Sequence, residues 1–222
     1  MRYLDLLTAL FATVLLVSNV ASTKLVVLGP FTFDGGTLLF PLAYIFGDVL
    51  TEVYGYRKSR RVIWIGFFAL LLATLTFQAV AHLPAPPDAE SQRFGEAFGL
   101  LLGLTPRIVL GSLLAYFLGE FANAYVLAKL KVRTEGRFFW LRALASTLVG
   151  QGLDTGAFLL VAFYGVFPKE VLLAVFLSNY AFKLGVEALM LPFTYAVVGF
   201  LKRAEGMDAY DRDTDFNPFR LT

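Results

Sequence analysis

Acidic, amide and hydroxyl side chains recur at four-residue intervals inside stretches otherwise too apolar for water. Tyr44, Asp48 and Glu52 follow an i, i+4, i+8 spacing, so on a helix they form one polar stripe. Tyr116, Glu120 and Asn123 share a second face, and Ser146, Gly150 and Asp154 a third with Gln151 alongside; Asn179, Lys183 and Glu187 make a fourth. Ser18, Asn19 and Lys24 end a fifth apolar stretch. A charge inside a bilayer costs about 2.5–3.5 kcal/mol even on insertion scales, so such groups point to a functional cavity with named partners. Tyr44, Tyr116 and Phe158 could stack on a planar ligand there.

Packing offers the competing account: Lys183 pairs with Glu187, its local candidate, or with a carboxylate from another helix, and the groups simply hold a bundle together. Acidic side chains outnumber Lys183, and amides and hydroxyls converge with them, which exceeds what packing needs. Glu52 stands apart, because it lies one turn from the Arg57 to Arg61 cluster and suits an interfacial residue paired with an arginine. The chain has no cysteine and one histidine, His82, so thiolate and multi-histidine metal sites are excluded. No nucleophile and base pair stands out. Catalytic residues, metal ligands and cofactors are accordingly not expected.

The elements that must position these groups follow from composition. Of 222 residues, 58% are hydrophobic and 16% charged, against about 25% charged in an average soluble domain. Six stretches meet the bilayer-crossing length: Leu4 to Ser22, Thr37 to Tyr54, Val62 to Leu83, Ile108 to Leu127, Leu141 to Val166 and Val171 to Leu201. The expected fold is an all-α integral membrane protein, a bundle of about six transmembrane helices over residues 1–203 with a polar, disordered cytoplasmic tail over 204–222. Pro41 is placed to bend the second helix, and tilt or a kink near Pro192 accommodates the long sixth.

If six spans alternate, one side collects Arg2, Arg57, Lys58, Arg60, Arg61, Lys129, Lys131, Arg133, Arg137, Arg142, Lys202 and Arg203, and the other only Lys24, Arg93, Arg107 and Lys169. The positive-inside rule then puts both termini in the cytoplasm. The net charge of +2 is too small for nucleic-acid binding. On the outer side, Leu25 to Gly36 carries Pro30, Gly35 and Gly36 with β-branched residues and suits a short hairpin-like turn, and Phe94, Phe98, Leu101 and Leu102 are spaced as in an interfacial helix. Asp211, Asp213 and Asp215 begin a calcium-loop spacing, but Phe216 occupies the glycine position and the later glutamate is missing.

The run Phe40-Pro41-Leu42-Ala43-Tyr44-Ile45-Phe46-Gly47-Asp48-Val49-Leu50-Thr51-Glu52-Val53-Tyr54-Gly55, followed by Arg60-Arg61, resembles the signature of the queuosine precursor transporters, the family formerly grouped as vitamin uptake transporters. Ser18-Asn19, Arg107, Ala145-Ser146-Thr147-Leu148 with Gly150, Asp154-Thr155, and Phe182-Lys183 with Pro192 look like that family's recurring positions, in the same order. The resemblance implies uptake of 7-cyano-7-deazaguanine, and its 7-aminomethyl relative, across the bacterial inner membrane for salvage into the queuosine of transfer RNA. Asn19, Tyr44, Asp48, Arg107, Glu120, Asn123, Ser146, Gln151, Asp154 and Lys183 are the candidate substrate-binding residues. The chemistry agrees, since a deazaguanine offers adjacent N–H donors to a carboxylate, a carbonyl to an amide or lysine, and a flat ring for stacking. Expected partners are this small molecule and membrane lipids, with a homodimer and a monomer both open.

Two other readings stand beside this one. A substrate-binding subunit of an energy-coupling-factor vitamin importer also has about six helices, but needs a separate ATPase. An intramembrane aspartyl protease could pair Asp48 with Asp154, yet Ile45 replaces that motif's glycine and Asp154 follows Leu153 rather than tyrosine.

Overall fold

The computed structural model describes residues 1–28 and 31–220, except the side chains at positions 25, 28, 31–34, 37, 40 and 41. Helix α1 (Leu4–Ala21) leads to an antiparallel hairpin of β1 (Leu25–Leu28) and β2 (Phe31–Asp34), then a 3-10 turn (Gly35–Leu38). Then come α2 (Phe40–Tyr54), α3 (Tyr56–Ala81), α4 (Ala89–Leu102), α5 (Pro106–Arg133), α6 (Phe139–Phe163) and α7 (Lys169–Glu205). The hairpin expected before α2 is present as β1 and β2, and Pro30 lies outside the described residues. Among the described residues five helices are long and apolar enough to cross a bilayer: α1, α3, α5, α6 and α7. The chain is a multi-pass, all-α membrane protein.

The second span differs from its expectation. At 15 residues α2 is about 22 Å long, shorter than the roughly 30 Å hydrocarbon core. Irregular backbone is tolerated at membrane depth only when protein or a cavity covers it. Accordingly α2 is central rather than lipid-facing, with Tyr44, Ile45, Asp48, Val49, Leu50 and Val53 all buried. Pro41 sits in its first turn, where no hydrogen bond is lost, so it starts the helix and does not bend it. In contrast, α7 runs through Pro192 as a single 37-residue helix.

The backbone nitrogens of Arg2 and Tyr3 donate to Glu205 at 2.9 and 2.7 Å, and Tyr54 Oη donates to the same carboxylate at 2.9 Å. The start of α1, the end of α2 and the end of α7 thus meet at one end of the bundle. At the other end, Ser18 Oγ near the close of α1 donates to the carbonyl of Gly36. So α2 crosses despite its length, and the basic residues gather at the end holding both termini. Reporter fusions after Arg203 are expected to report the cytoplasm, and fusions within Pro84 to Ser91 the outside; the reverse at either position would rule this topology out.

Helices α5 and α6 approach backbone to backbone at Gly119 and Gly150. A Cβ on Gly150 would lie 2.9 Å from Asn123 Cβ and 2.9 Å from the carbonyl oxygen of Gly119, and one on Gly119 would lie 2.8 Å from Asp154 Cβ. This contact brings Asn123 and Asp154 into the interior together. Gly150→Ala should therefore force the helices apart and cost about 1–3 kcal/mol, as overpacking does. An unchanged melting temperature of the detergent-solubilised variant would contradict the close approach.

Asp88 caps α4 by accepting from Ser91 N at 2.8 Å, and the helix presents Phe94, Leu100 and Leu101 bare, as an interfacial helix does to lipid. The tail is not the disordered segment expected. Asp211 accepts from Tyr56 N at 2.9 Å, Arg60 donates to the carbonyls of Asp215 and Asn217, and Trp64 Nε1 to that of Pro218. Phe216 packs on Tyr56 and under Lys129, while Phe219 stacks on Phe117. A polar strap of this kind docks because its partners are the buried backbone and aromatic groups of α3 and α5.

Candidate functional site

Three successive turns of α2 carry Tyr44, Asp48 and Glu52 into the bundle, and each meets a different environment. On the outer turn Tyr44 borders a cavity of about 240 Å³ with Asn19 of α1, Ser112, Tyr116 and Glu120 of α5, Asp154 of α6 and Lys183 of α7. A second cavity of about 300 Å³ adjoins it, lined by Phe158, Phe163, Asn179 and Phe182 and sharing Ser112, Asp154 and Lys183. Lys183 Nζ lies 2.9 Å from Asp154 Oδ2 and 3.4 Å from Thr155 Oγ1, so this ion pair stands between the two spaces. The partner of Lys183 is therefore Asp154 from the neighbouring helix, not the local Glu187. Glu187 lies one turn further along α7 and its carboxyl group faces Asp48 instead.

The middle turn is sealed from both cavities. Asn123 Nδ2 donates to Asp48 Oδ1 at 3.0 Å. Asp48 Oδ2, Asn123 Oδ1, Thr147 Oγ1, Glu187 Oε1 and both polar atoms of Gln151 are buried without a hydrogen-bond partner among the described residues. Ser146 is buried here as well, its hydroxyl spent on the carbonyl of Ala143 at 2.9 Å.

On the inner turn Glu52 is surrounded by cations. Arg142 grips it at 2.6 and 3.2 Å, Lys202 lies at 2.7 Å and Lys131 at 3.5 Å. Glu52, Arg142 and Lys131 are almost wholly buried. Lys131 also donates to the carbonyl of Glu52 at 2.5 Å, and it reaches Asp208 of the tail, which Lys202 contacts at 2.9 Å. Partial desolvation works against the charge on Asp208, but its hydrogen bonds from Lys131 and Lys202 prevail and hold the carboxyl below its ordinary range. Glu52 is thus paired with an arginine as expected, but one from α6 rather than from the Arg57 cluster. Arg142, Lys131 and Lys202 read in the sequence only as topology-setting loop charges; nothing in their spacing marks a common target.

Of the ten candidate residues, Asn19, Tyr44, Glu120, Asp154 and Lys183 line one cavity. Asp48, Asn123, Ser146 and Gln151 form the buried layer beneath it. Arg107 is the exception: it donates to the carbonyls of Val161, at 2.5 Å, and Tyr164. It caps the last turn of α6, where unsatisfied carbonyls collect, and lines neither cavity.

A membrane-crossing bundle with a polar cavity in one half and an ion-paired closure in the other is the architecture of a small-molecule carrier. Residues 34–197 match the family described as "Putative vitamin uptake transporter", and the chain belongs to that family, one of transporters and not of enzymes. It is 36% identical over 188 residues to the "Probable queuosine precursor transporter" of Bacillus subtilis (strain 168), covering 84% of this chain and 80% of that protein. It is 27% identical over 168 residues to the "Queuosine precursor transporter" of Escherichia coli (strain K12), covering 73% and 71%. A relative from Haemophilus influenzae, "Probable queuosine precursor transporter", is 25% identical over 166 residues, covering 73% and 67%. No solved structure matches the chain.

Proposed function

We propose that the protein imports a queuosine precursor, 7-cyano-7-deazaguanine or its 7-aminomethyl relative, across the bacterial inner membrane for salvage into transfer RNA. The observation that carries this reading is the convergence of Asn19, Tyr44, Glu120, Asp154 and Lys183 on one small cavity. At about 240 Å³, next to a space of about 300 Å³, it suits a single fused-ring heterocycle better than an extended ligand. Glu120 and Asp154 accept from the adjacent N–H donors of the deazaguanine, and Lys183 or Asn19 donates to its carbonyl. Tyr44 and Tyr116 supply ring faces. The names of the relatives from Bacillus, Escherichia and Haemophilus agree with this substrate.

The test is uptake of radiolabelled 7-cyano-7-deazaguanine into liposomes holding only this protein. Saturable uptake, competed by the unlabelled compound, is expected. Uptake that appears only after a separate ATPase and coupling protein are added would instead make the chain a subunit of an energy-coupling-factor importer.

A further inference from the structure

Between the outer cavity and the inner closure lies a layer that neither substrate recognition nor packing accounts for. Asp48, Asn123, Thr147, Gln151 and Glu187 come from α2, α5, α6 and α7, and each is at most 2% exposed. Lys183 and Thr155 join α7 to the antiparallel α6; Glu187 and Gln151 each lie one turn further in, so they share a level. Buried polar groups in folded proteins are nearly always hydrogen-bonded. Here six such atoms, both ends of the Gln151 amide among them, have no partner among the described residues.

The carboxyl groups of Asp48 and Glu187, both buried, are side-chain neighbours in this layer. The basic side chains that enter the bundle are paired on either side of it, Lys183 with Asp154 toward the outside and the trio of Lys131, Arg142 and Lys202 with Glu52 toward the inside. Among the described residues no ion pair joins Lys131, Arg142 or Lys202 to Asp48 or Glu187. Nor is any group of three or more histidine or acidic side chains arranged there for a metal ion. Two adjacent carboxylates in a water-poor interior cannot both stay ionised without a counter-charge; one proton shared between them resolves this.

We propose that Asp48 and Glu187, with Asn123 and Gln151 around them, form a proton-binding site that couples inward movement of a proton to uptake of the neutral substrate. The inference rests on the proposed function only for what travels with the proton. The packing of α2 on α5 offers a route: a Cβ at Gly47 would lie 3.3 Å from Glu120 Oε2, on the cavity wall, and 3.8 Å from Asn123 Nδ2, in the layer. A proton taken from outer water at the cavity passes by Glu120 to the carboxyl pair, and leaves to cytoplasmic water when the Glu52 closure opens. The titratable groups facing the pair are Tyr44 of α2 and Glu120 of α5, while Asp154 of α6 and Lys183 of α7 pair with each other on the cavity side. Helix α1 carries only Asp5, in its first turn, and α3 only Arg57, Lys58, Arg60 and Arg61 at its cytoplasmic start, so neither brings a charge to this depth.

The purified protein in liposomes tests this in two ways. With a gradient of about one pH unit, acid outside, labelled 7-cyano-7-deazaguanine should accumulate up to about tenfold over equilibrium, the limit for one proton per neutral molecule. A protonophore should abolish this, and Glu187→Gln should lose the accumulation while keeping gradient-free exchange of labelled for unlabelled substrate. Indifference of the native protein to the pH gradient, dependence on sodium instead, or undiminished accumulation by Glu187→Gln would overturn the proposal. Infrared spectroscopy decides the site without any substrate: the native protein should show a protonated carboxyl band that Asp48→Asn diminishes. Absence of that band would overturn the assignment, whereas failed exchange by the native protein with the band present would count against the substrate reading instead.

Discussion

Glu52→Gln is expected to be the most damaging single substitution in the protein. It leaves Arg142 and Lys131 buried, and Lys202 half-buried, around a neutral amide where a carboxylate now sits within 2.6 to 3.5 Å of all three. A buried charge pair is a weak source of net stability, but removing one partner strands the other, at about 3–5 kcal/mol. The remaining link to Asp208 reaches only the two lysines. Loss of folded protein from the membrane is the expected result, measured by its yield after detergent extraction. Combining Glu52→Gln with Arg142→Met should recover part of that loss, since the least exposed stranded cation is then gone. A single variant as abundant and heat-stable as the native protein would mean that the cluster does not close the cytoplasmic end.

Substitution of Asp154 by asparagine should produce the largest effect on recognition. The carboxylate is both a wall of the outer cavity and the partner of Lys183. Asparagine keeps the shape but replaces one acceptor with a donor, and hydrogen bonds to charged groups contribute about 1.5–3 kcal/mol. That corresponds to a roughly ten- to hundredfold rise in the substrate concentration needed for half-maximal uptake. The measurement is queuosine content of transfer RNA, across a range of supplied precursor, in cells that cannot make it, with membrane level checked by immunoblot. An unchanged dose curve at normal protein level would remove Asp154 from the substrate's surroundings. Lys183→Met should act in the same direction, because it leaves Asp154 without its cation; a variant normal in both level and transport would show the ion pair to be idle.

The crossing helices are legible in the sequence because a bilayer imposes a minimum length on any apolar run, and α1, α3, α5, α6 and α7 all exceed it. The shortness of α2 is not legible. The stretch from Thr37 to Tyr54 has the same hydropathy whether its first turn is α-helical or the 3-10 turn actually found. Polar spacing turns Asn19, Tyr44, Glu120, Asp154 and Lys183 inward, where they line one cavity, since a side chain costly to expose to lipid must turn inward. It could not separate that cavity from the buried layer around Asp48, because adjacent turns of one stripe look alike in a sequence. Arg107 misleads for a related reason: a cation near the outer surface has the same composition whether it faces a ligand or, as here, the carbonyls ending α6. The tail hides its docking most completely. Asp208, Asp211 and Asp215 suggest a solvated segment, yet besides Thr214, Asn217 and Arg220 within the tail itself they meet groups on α3, α5 and α7.

The strap of residues 206–220 also bears on how the molecule is made. These residues leave the ribosome after α1 to α7, so those helices are threaded into the bilayer before Asp208 and Asp211 can clasp Lys131, Lys202 and the backbone of Tyr56. Until the strap emerges, the inner face is held by the Glu52 cluster and the helix contacts without this clasp. Fastening of this face therefore follows the insertion of α1 to α7, and a chain truncated just beyond α7 would carry those helices inserted yet unfastened.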